Sequence, residues 1–243
     1  MNLEQPFKVL IFGGSGTLGK AMAMEFAKHG WTVGVHYHQN STQAKKTVSA
    51  IKGNGGAGFL YQADVTNPHQ VKFLMQKFIQ DHGHLHVAIW SVGRTISQLA
   101  VKTTSSAWQD IIQTNLTGAF HVLKEVGAIF EEQRKGAIIL IGSLSGQQGT
   151  AGQTAYAGSK AGLIGLMKTA AREWGDFNIR VNVIFPGWIS SPLSESYFDS
   201  VLRQTPHTLQ RTPSLEHIAR TVYHLALAED TSGQVWNLDS RLW

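Results

Sequence analysis

No cysteine occurs in the 243 residues. Disulfides, thiol nucleophiles and cysteine-ligated metals are therefore excluded, and the lack of disulfides suits a cytoplasmic protein. No apolar run reaches the roughly 18 residues that a membrane-spanning helix needs, so no membrane segment is expected. The opening stretch Met1-Asn2-Leu3-Glu4-Gln5-Pro6-Phe7-Lys8 has no basic region followed by a long apolar segment, so no signal peptide is expected there. No Pro- or Ser-rich linker divides the chain, which is long enough to enclose one sizeable core. Low-complexity tracts and internal repeats are absent too. The formal net charge of +5 would favour phosphate-bearing ligands or acidic partners. Its basic residues are scattered, with only small pairs at Lys45-Lys46 and Arg134-Lys135, which read as solvated helix surface. Without a basic run interleaved with aromatics, nucleic acid is not an expected partner.

Strand-like and helix-like segments alternate along the chain. Lys8–Phe12 is a short apolar run ending in glycine, and a helical pattern follows from Leu18 to His29, with Gly30 placed to end it. Strands are expected at Trp31–Tyr37, Gly58–Gln62 and Leu85–Trp90, separated by helices at Ser41–Lys52 and Asn67–His82. The second half continues with a helix over Ser105–Phe130, an apolar strand at Ala137–Ile141 and a helix over Thr154–Trp174. A strand at Arg180–Phe185, a helix over Leu215–Ala228 and a last strand at Val235–Leu238 close the series. The continuous Ile138-Ile139-Leu140-Ile141 run suits a strand buried on both faces. Repeated β–α units imply a single α/β domain over residues 1–243, a Rossmann-like doubly wound parallel sheet with helices on both faces. In such sheets ligands bind at the carboxyl ends of the strands.

After the first strand stands Gly13-Gly14-Ser15-Gly16-Thr17-Leu18-Gly19, directly before a helix. Glycine lets the backbone approach a phosphate closely, and the helix N-terminus offers unpaired N–H groups to a pyrophosphate. The strand–turn–helix context makes this a dinucleotide-binding turn rather than a plain one. NAD-preferring sites place a carboxylate after the second strand. Here His36-Tyr37-His38-Gln39-Asn40-Ser41-Thr42 holds no acid, and His38, Ser41 and Thr42 can donate to a 2′-phosphate. NADPH/NADP is thus expected over NAD, although no arginine is present in this stretch. Asp64, after the third strand, is either a partner for adenine or a turn-capping residue before Asn67. Ser91 and Gly93 follow the fourth strand and fall on the cofactor side.

Ser143 follows the apolar strand, and Tyr156 and Lys160 are spaced i and i+4 on the next helix. That spacing puts phenol and ammonium on one face, where the cation favours phenolate and makes Tyr156 a competent acid–base group. Ser143 is placed to hydrogen-bond a carbonyl oxygen. His82, His84 and His86 cluster in sequence but lack a matching carboxylate pattern, so no metal site is expected. Trp188 is expected either at a substrate mouth or in the core.

Taken together, the glycine turn, Asp64-Val65, Asn115 in Asn115-Leu116-Thr117-Gly118, Ser143, Tyr156 with Lys160, and Pro186-Gly187 closely resemble the short-chain dehydrogenase/reductase family over essentially the whole chain. Tyr156–Glu173 and Val181–Gly187 look most like the bacterial 3-oxoacyl-acyl-carrier-protein reductases. The resemblance implies that Ser143 polarises the carbonyl, Tyr156 is the acid–base, Lys160 also binds the nicotinamide ribose and Asn115 holds a relay water. It further implies that Ile189 and Ser191 meet the nicotinamide carboxamide and that Leu193–Arg211 forms a substrate-covering lid, about residues 190–212. A homotetramer or dimer is implied as well. Three departures stand out: Thr17 replaces the usual middle glycine, Gly16 the arginine common in NADP forms, and Trp90-Ser91-Val92-Gly93 the usual Asn-Asn-Ala-Gly. The expected activity is reduction of a small-molecule or carrier-bound carbonyl, a 3-oxoacyl thioester above all. Alternatives are another alcohol, sugar, steroid or pteridine substrate, or a catalytically silent NADP(H)-binding sensor.

Overall fold

The computed structural model describes residues 6–191 and 207–241. Seven strands form one parallel sheet in the order β3-β2-β1-β4-β5-β6-β7. They are β1 (Lys8–Phe12), β2 (Thr32–Tyr37), β3 (Ala57–Gln62), β4 (Val87–Trp90), β5 (Gly136–Ile141), β6 (Ile179–Phe185) and β7 (Val235–Asn237). Between them run α1 (Thr17–Lys28), α2 (Ser41–Gly53), α3 (Pro68–His82), α4 (Ser105–Ile112), α5 (Gly118–Gln133), the short α6 (Ser145–Gln148), α7 (Thr154–Glu173) and α8 (Leu215–Leu227). The strand order reverses between β1 and β4, which opens a crevice above their carboxyl ends, as in other doubly wound sheets.

Alternation along the strands builds two cores, one on each face of the sheet. Leu10 and Phe12 of β1, Trp90 of β4, Leu140 of β5 and Val183 of β6 pack with α3, α5 and α7. Val9, Ile11, Ile89, Ile139 and Ile184 face the other way, onto α1, α2 and α8. Each fully buried side chain of this size contributes about 1.5–3 kcal/mol of transfer free energy, so both faces hold the sheet. Caps follow local chemistry: the Asn40 side chain accepts from Gln43 N, Asn67 accepts from His69 N and Gln70 N ahead of Pro68, and Ser214 accepts from His217 N.

The expected helix over Ser105–Phe130 differs in one respect. Residues Gln113–Thr117 form a π-helical turn between α4 and α5. The buried Asn115 lies in that turn, and its side chain bonds outside the helix. π turns inside helices recur at functional sites because the extra residue re-aims a side chain. Of the lid expected over Leu193–Arg211, residues 192–206 lie outside the described residues.

Candidate active site

The glycine turn starts with Gly13 at φ 80°, a left-handed conformation that suits glycine. It folds tightly, with Gly14 N donating to Ile11 O (3.2 Å) and Gly16 N to Gly13 O (3.0 Å). Gly19, in the first turn of α1, packs directly on this backbone. A Cβ at Gly19 would sit 2.1 Å from Gly13 O, so only glycine lets α1 approach the turn this closely. Thr17 is the first residue of α1 and faces the same cavity as Gly16.

His36 of β2 clasps the turn from below. Gly13 N donates to its Nδ1 (3.1 Å), which leaves Nε2–H to donate to Ala63 O at 3.1 Å. Both contacts need the neutral ring. Burial, reinforced by the nearby His38 charge and opposed by the bond to Ala63, brings its pKa down to about 4. Nothing in the sequence marks this role, since His36 reads there only as a polar residue near the nucleotide.

Across the crevice, Ser143 follows β5, and its Oγ accepts from Ser145 N at 3.2 Å. Ser145 is fixed in turn, its Oγ donating to Gln153 Oε1 (3.1 Å) and accepting from Thr150 Oγ1 (2.9 Å). Tyr156 and Lys160 lie in the first two turns of α7, with Lys160 Nζ 5.7 Å from the Tyr156 ring centroid. The Lys160 ammonium is buried and donates to Ile141 O at 2.7 Å. Burial alone brings its pKa down to about 8. It therefore remains predominantly a cation at neutral pH, close to the phenol.

Asn115 stands behind this group. Its Oδ1 accepts from Arg94 N (2.7 Å), while Nδ2 donates to Arg94 O (2.8 Å) and to Ser159 Oγ (3.0 Å). It thereby ties the loop after β4 to the π turn and to α7. A Cβ at Gly93 would lie 3.6 Å from Lys160 Nζ and 3.9 Å from Asn115 Oδ1, so that loop runs against Lys160. Trp90, where the family has asparagine, turns the other way. It is buried in the α3–α5–α7 core, its indole tip 3.2 Å from where a Gly118 Cβ would stand.

One cavity of about 900 Å³ joins these elements. Of the residues expected at the site, Ser15, Gly16, Thr17, Leu18 and Gly19 line it on the turn side, and Ser91 and Gly93 on the β4 side. Ser143, Tyr156 and Lys160 line it with Pro186, Gly187, Ile189 and Ser191 after β6. Gly13, Gly14 and Asn115 support the lining from behind without forming part of it. His38, Asp64 and Val65 lie at the ends of β2 and β3, outside the lining. Asp64 holds its own turn there, its Oδ1 accepting from Thr66 N (2.9 Å) and Thr66 Oγ1 (2.8 Å), with His38 Nε2 3.8 Å from Oδ2. Burial opposes ionisation of Asp64, but the two Thr66 bonds and the His38 charge outweigh it and hold the carboxyl below its usual range.

The lining also contains Asn40, from the stretch after the second strand, and residues that the sequence does not single out: Lys20, Gln43, Glu216, Asp239 and Arg241. The carboxyl-end rule, applied to the last strand, would have found Asp239 and Arg241. Trp188 lines the cavity, with the Arg241 guanidinium 5.2 Å from its ring centroid. The basic pair is already engaged: Arg134 Nη2 donates to Asp176 O (3.0 Å), and Lys135 Nζ to Glu229 Oε1 (3.2 Å). Among the described residues no group of three or more His, Asp or Glu is arranged to hold a metal, and no helix is long and apolar enough to cross a membrane.

The profile of the short chain dehydrogenase family matches residues 8–201. The 3-oxoacyl-[acyl-carrier-protein] reductase FabG of Staphylococcus epidermidis is 36% identical over 221 residues, covering 89% of this chain and 90% of that protein. The 3-oxoacyl-[acyl-carrier-protein] reductase of Synechocystis is 35% identical over 234 residues, covering 95% and 94%. FabG of Thermotoga maritima is 34% identical over 239 residues, covering 96% of each. A dehydrogenase/reductase of Sinorhizobium meliloti has the same fold, with a TM-score of 0.87 over 96% of this chain and 94% of that one, at 24% identity. The chain belongs to the short-chain dehydrogenase family and is an NAD(P)-dependent oxidoreductase acting on carbonyl or hydroxyl groups.

Proposed function

We propose that this short-chain dehydrogenase is an NADP(H)-dependent reductase of a 3-oxoacyl thioester borne by an acyl carrier. The observation that carries the reading is the catalytic group itself. Ser143, Tyr156 and a buried Lys160 line one cavity with the glycine turn. Relatives named as 3-oxoacyl-[acyl-carrier-protein] reductases, matched over nearly the full chain, favour the substrate class.

The residues present fit a dinucleotide. A Cβ at Gly19 would fill the close approach between α1 and the turn, where backbone N–H groups await a pyrophosphate. Ser15 through Gly19 would hold the phosphates, Lys160 the nicotinamide ribose, and Ile189 and Ser191 the carboxamide. The phosphorylated form is favoured because Tyr37 to Thr42 carries no carboxylate, while Lys20, Asn40 and Gln43 line the cavity. When bound, the nicotinamide supplies the hydride. The Ser143 hydroxyl donates to the substrate carbonyl oxygen and orients it. The Tyr156 phenol delivers the proton to that oxygen as negative charge develops on it. The Lys160 cation lowers the cost of the resulting phenolate. Asn115, fixed in the π turn, would hold the water through which Tyr156 recovers its proton by its main chain or the second Oδ1 lone pair, since its Nδ2 is spent on Arg94 and Ser159.

A homo-oligomer is part of this reading. Trp108 on α4 and Phe120 on α5 expose 40% and 49% of their surface, and Trp236 on β7 exposes 38%. Apolar side chains at that exposure suit burial between subunits. A cytosolic setting agrees with the cysteine-free sequence. The direct test is turnover of an acetoacetyl thioester with NADPH and with NADH. The reading predicts oxidation of NADPH at a much higher kcat/KM, and equal use of both cofactors would refute the cofactor assignment.

A further inference from the structure

The segment after β7 turns back over the cavity and carries a buried ion pair that the reduction chemistry above does not use. Asp239 is 0% exposed and Arg241 14% exposed at the side chain. Arg241 Nε donates to both carboxylate oxygens at 2.9 Å, and Nη2 donates to Oδ2 as well. Arg241 N also donates to Asp239 Oδ1 (3.1 Å), and Asp239 N donates to Asn237 Oδ1 (2.9 Å). The guanidinium lies 5.2 Å from the Trp188 ring centroid. Its backbone is strapped down: His207 and Arg241 form an antiparallel bridge, and Thr208 N donates to Ser240 O at 2.7 Å.

This arrangement fixes the guanidinium in place and in plane. Only its side-on edge, Nε with Nη2, is spent on Asp239. Among the described residues no acceptor takes Nη1. Nη1 is not among the buried side-chain atoms left without a partner, so it keeps access to solvent where Arg241 lines the cavity. A buried ion pair is itself weak evidence of a stabilising role, because desolvation offsets the attraction. The end-on edge, Nη1 with the outer N–H of Nη2, matches the two oxygens of a carboxylate.

We infer that Arg241, oriented by Asp239 and set over the Trp188 ring, is an anion-recognition subsite that selects carbonyl substrates bearing a second, carboxylate group. The inference deepens the reductase reading, since it names the acyl chains that the site takes: those ending in a carboxylate. Asp239 is a positioning residue here, and Arg241 is the one that touches substrate.

The test uses matched 3-oxoacyl N-acetylcysteamine thioesters whose chains end in a methyl group or in a carboxylate. The wild type is compared with Arg241→Lys and with the double variant Asp239→Asn/Arg241→Gln, which removes both charges together and so strands neither. Glutarate and adipate, which carry no ketone, are titrated calorimetrically into the cofactor-loaded protein. The wild type should favour the carboxylate-ended chain by about ten- to a hundredfold in kcat/KM, the worth of one charge-assisted pair of hydrogen bonds. In the double variant the ratio should fall to near one and the dicarboxylates should stop binding, while Arg241→Lys should keep part of the preference. A wild-type ratio near one, or a ratio that survives in the double variant, overturns the inference. So does a variant that loses NADPH affinity and leaves the ratio intact, since Arg241 would then serve the cofactor. Dicarboxylate binding that depends on Arg241, without turnover of either thioester, upholds the subsite and refutes the thioester reading alone.

Discussion

Replacing Lys160 by methionine removes a cation that the fold buries at a measurable cost. The ammonium is 4% exposed and has Ile141 O as an acceptor, and burial brings its pKa from 10.5 to about 8. The gap between 10.5 and about 8, at about 1.4 kcal/mol per pH unit, comes to roughly 3 kcal/mol. The sign follows from proton counting. Between pH 8 and 10.5 the unfolded chain holds this proton and the native chain has released it, so native stability rises with pH across that window. Below about pH 8 both states hold the proton and the full penalty is present. Urea unfolding of cofactor-free protein at several pH values, wild type beside Lys160→Met, isolates the effect because all other titrations cancel in the difference. The wild type should gain roughly 3 kcal/mol on the variant between pH 8 and 10.5. Binding of a polyanionic dinucleotide should then favour the charged form, so proton uptake should accompany NADPH binding near pH 8.5, read by calorimetry in buffers of different ionisation enthalpy. Parallel stability curves for the two proteins would refute the claim that the native site strains this cation.

Two other perturbations probe the nucleotide side. Gly19→Ala places a methyl group 2.1 Å from Gly13 O, so α1 must draw back from the turn. The overpacking should cost about 1–3 kcal/mol and weaken NADPH binding at least about tenfold by fluorescence titration; an unchanged Kd would contradict the cradle. His36, whose pKa falls from 6.5 to about 4 on burial, binds its proton only in the unfolded state between those values, so its stabilisation is lost as pH falls through that window. His36→Gln, which keeps an acceptor for Gly13 and a donor for Ala63, should lose roughly 3 kcal/mol less than wild type from pH 6.5 to 4 in acid unfolding. Identical acid profiles would show that the ring does not need to be neutral.

Much of this architecture is visible in the chain itself, for identifiable reasons. Ile138-Ile139-Leu140-Ile141 reads as a two-face strand because both faces of β5 are in fact packed, one on α7 and the other on α8. The glycine string becomes informative only through its place between β1 and α1, and the i, i+4 spacing of Tyr156 and Lys160 fixes a geometry that any helix would supply. The π turn at Gln113–Thr117 is not visible because the apolar pattern continues through it, and only the tertiary bonds of Asn115 to Arg94 and Ser159 reveal it. His36 reads only as one polar residue of the stretch His36–Thr42, while in the fold its two ring nitrogens are spent inside the protein, on Gly13 and Ala63. The sequence leaves Asp64 open between adenine contact and turn cap, and in the fold its carboxylate is engaged by Thr66. The carboxyl-end rule points to Asp239 and Arg241 after β7, but their contact with Trp188, about fifty residues away in the chain, is visible only in the fold.

The central claim is that Tyr156 delivers the proton while Ser143 orients the carbonyl and Lys160 eases formation of the phenolate. The most direct measurement is NADPH oxidation with an acetoacetyl thioester, wild type beside Tyr156→Phe, together with the NADPH affinity of each. The account predicts oxidation by the wild type and loss of turnover by at least about a hundredfold in the variant, with the nucleotide still bound. Turnover retained by Tyr156→Phe would contradict it.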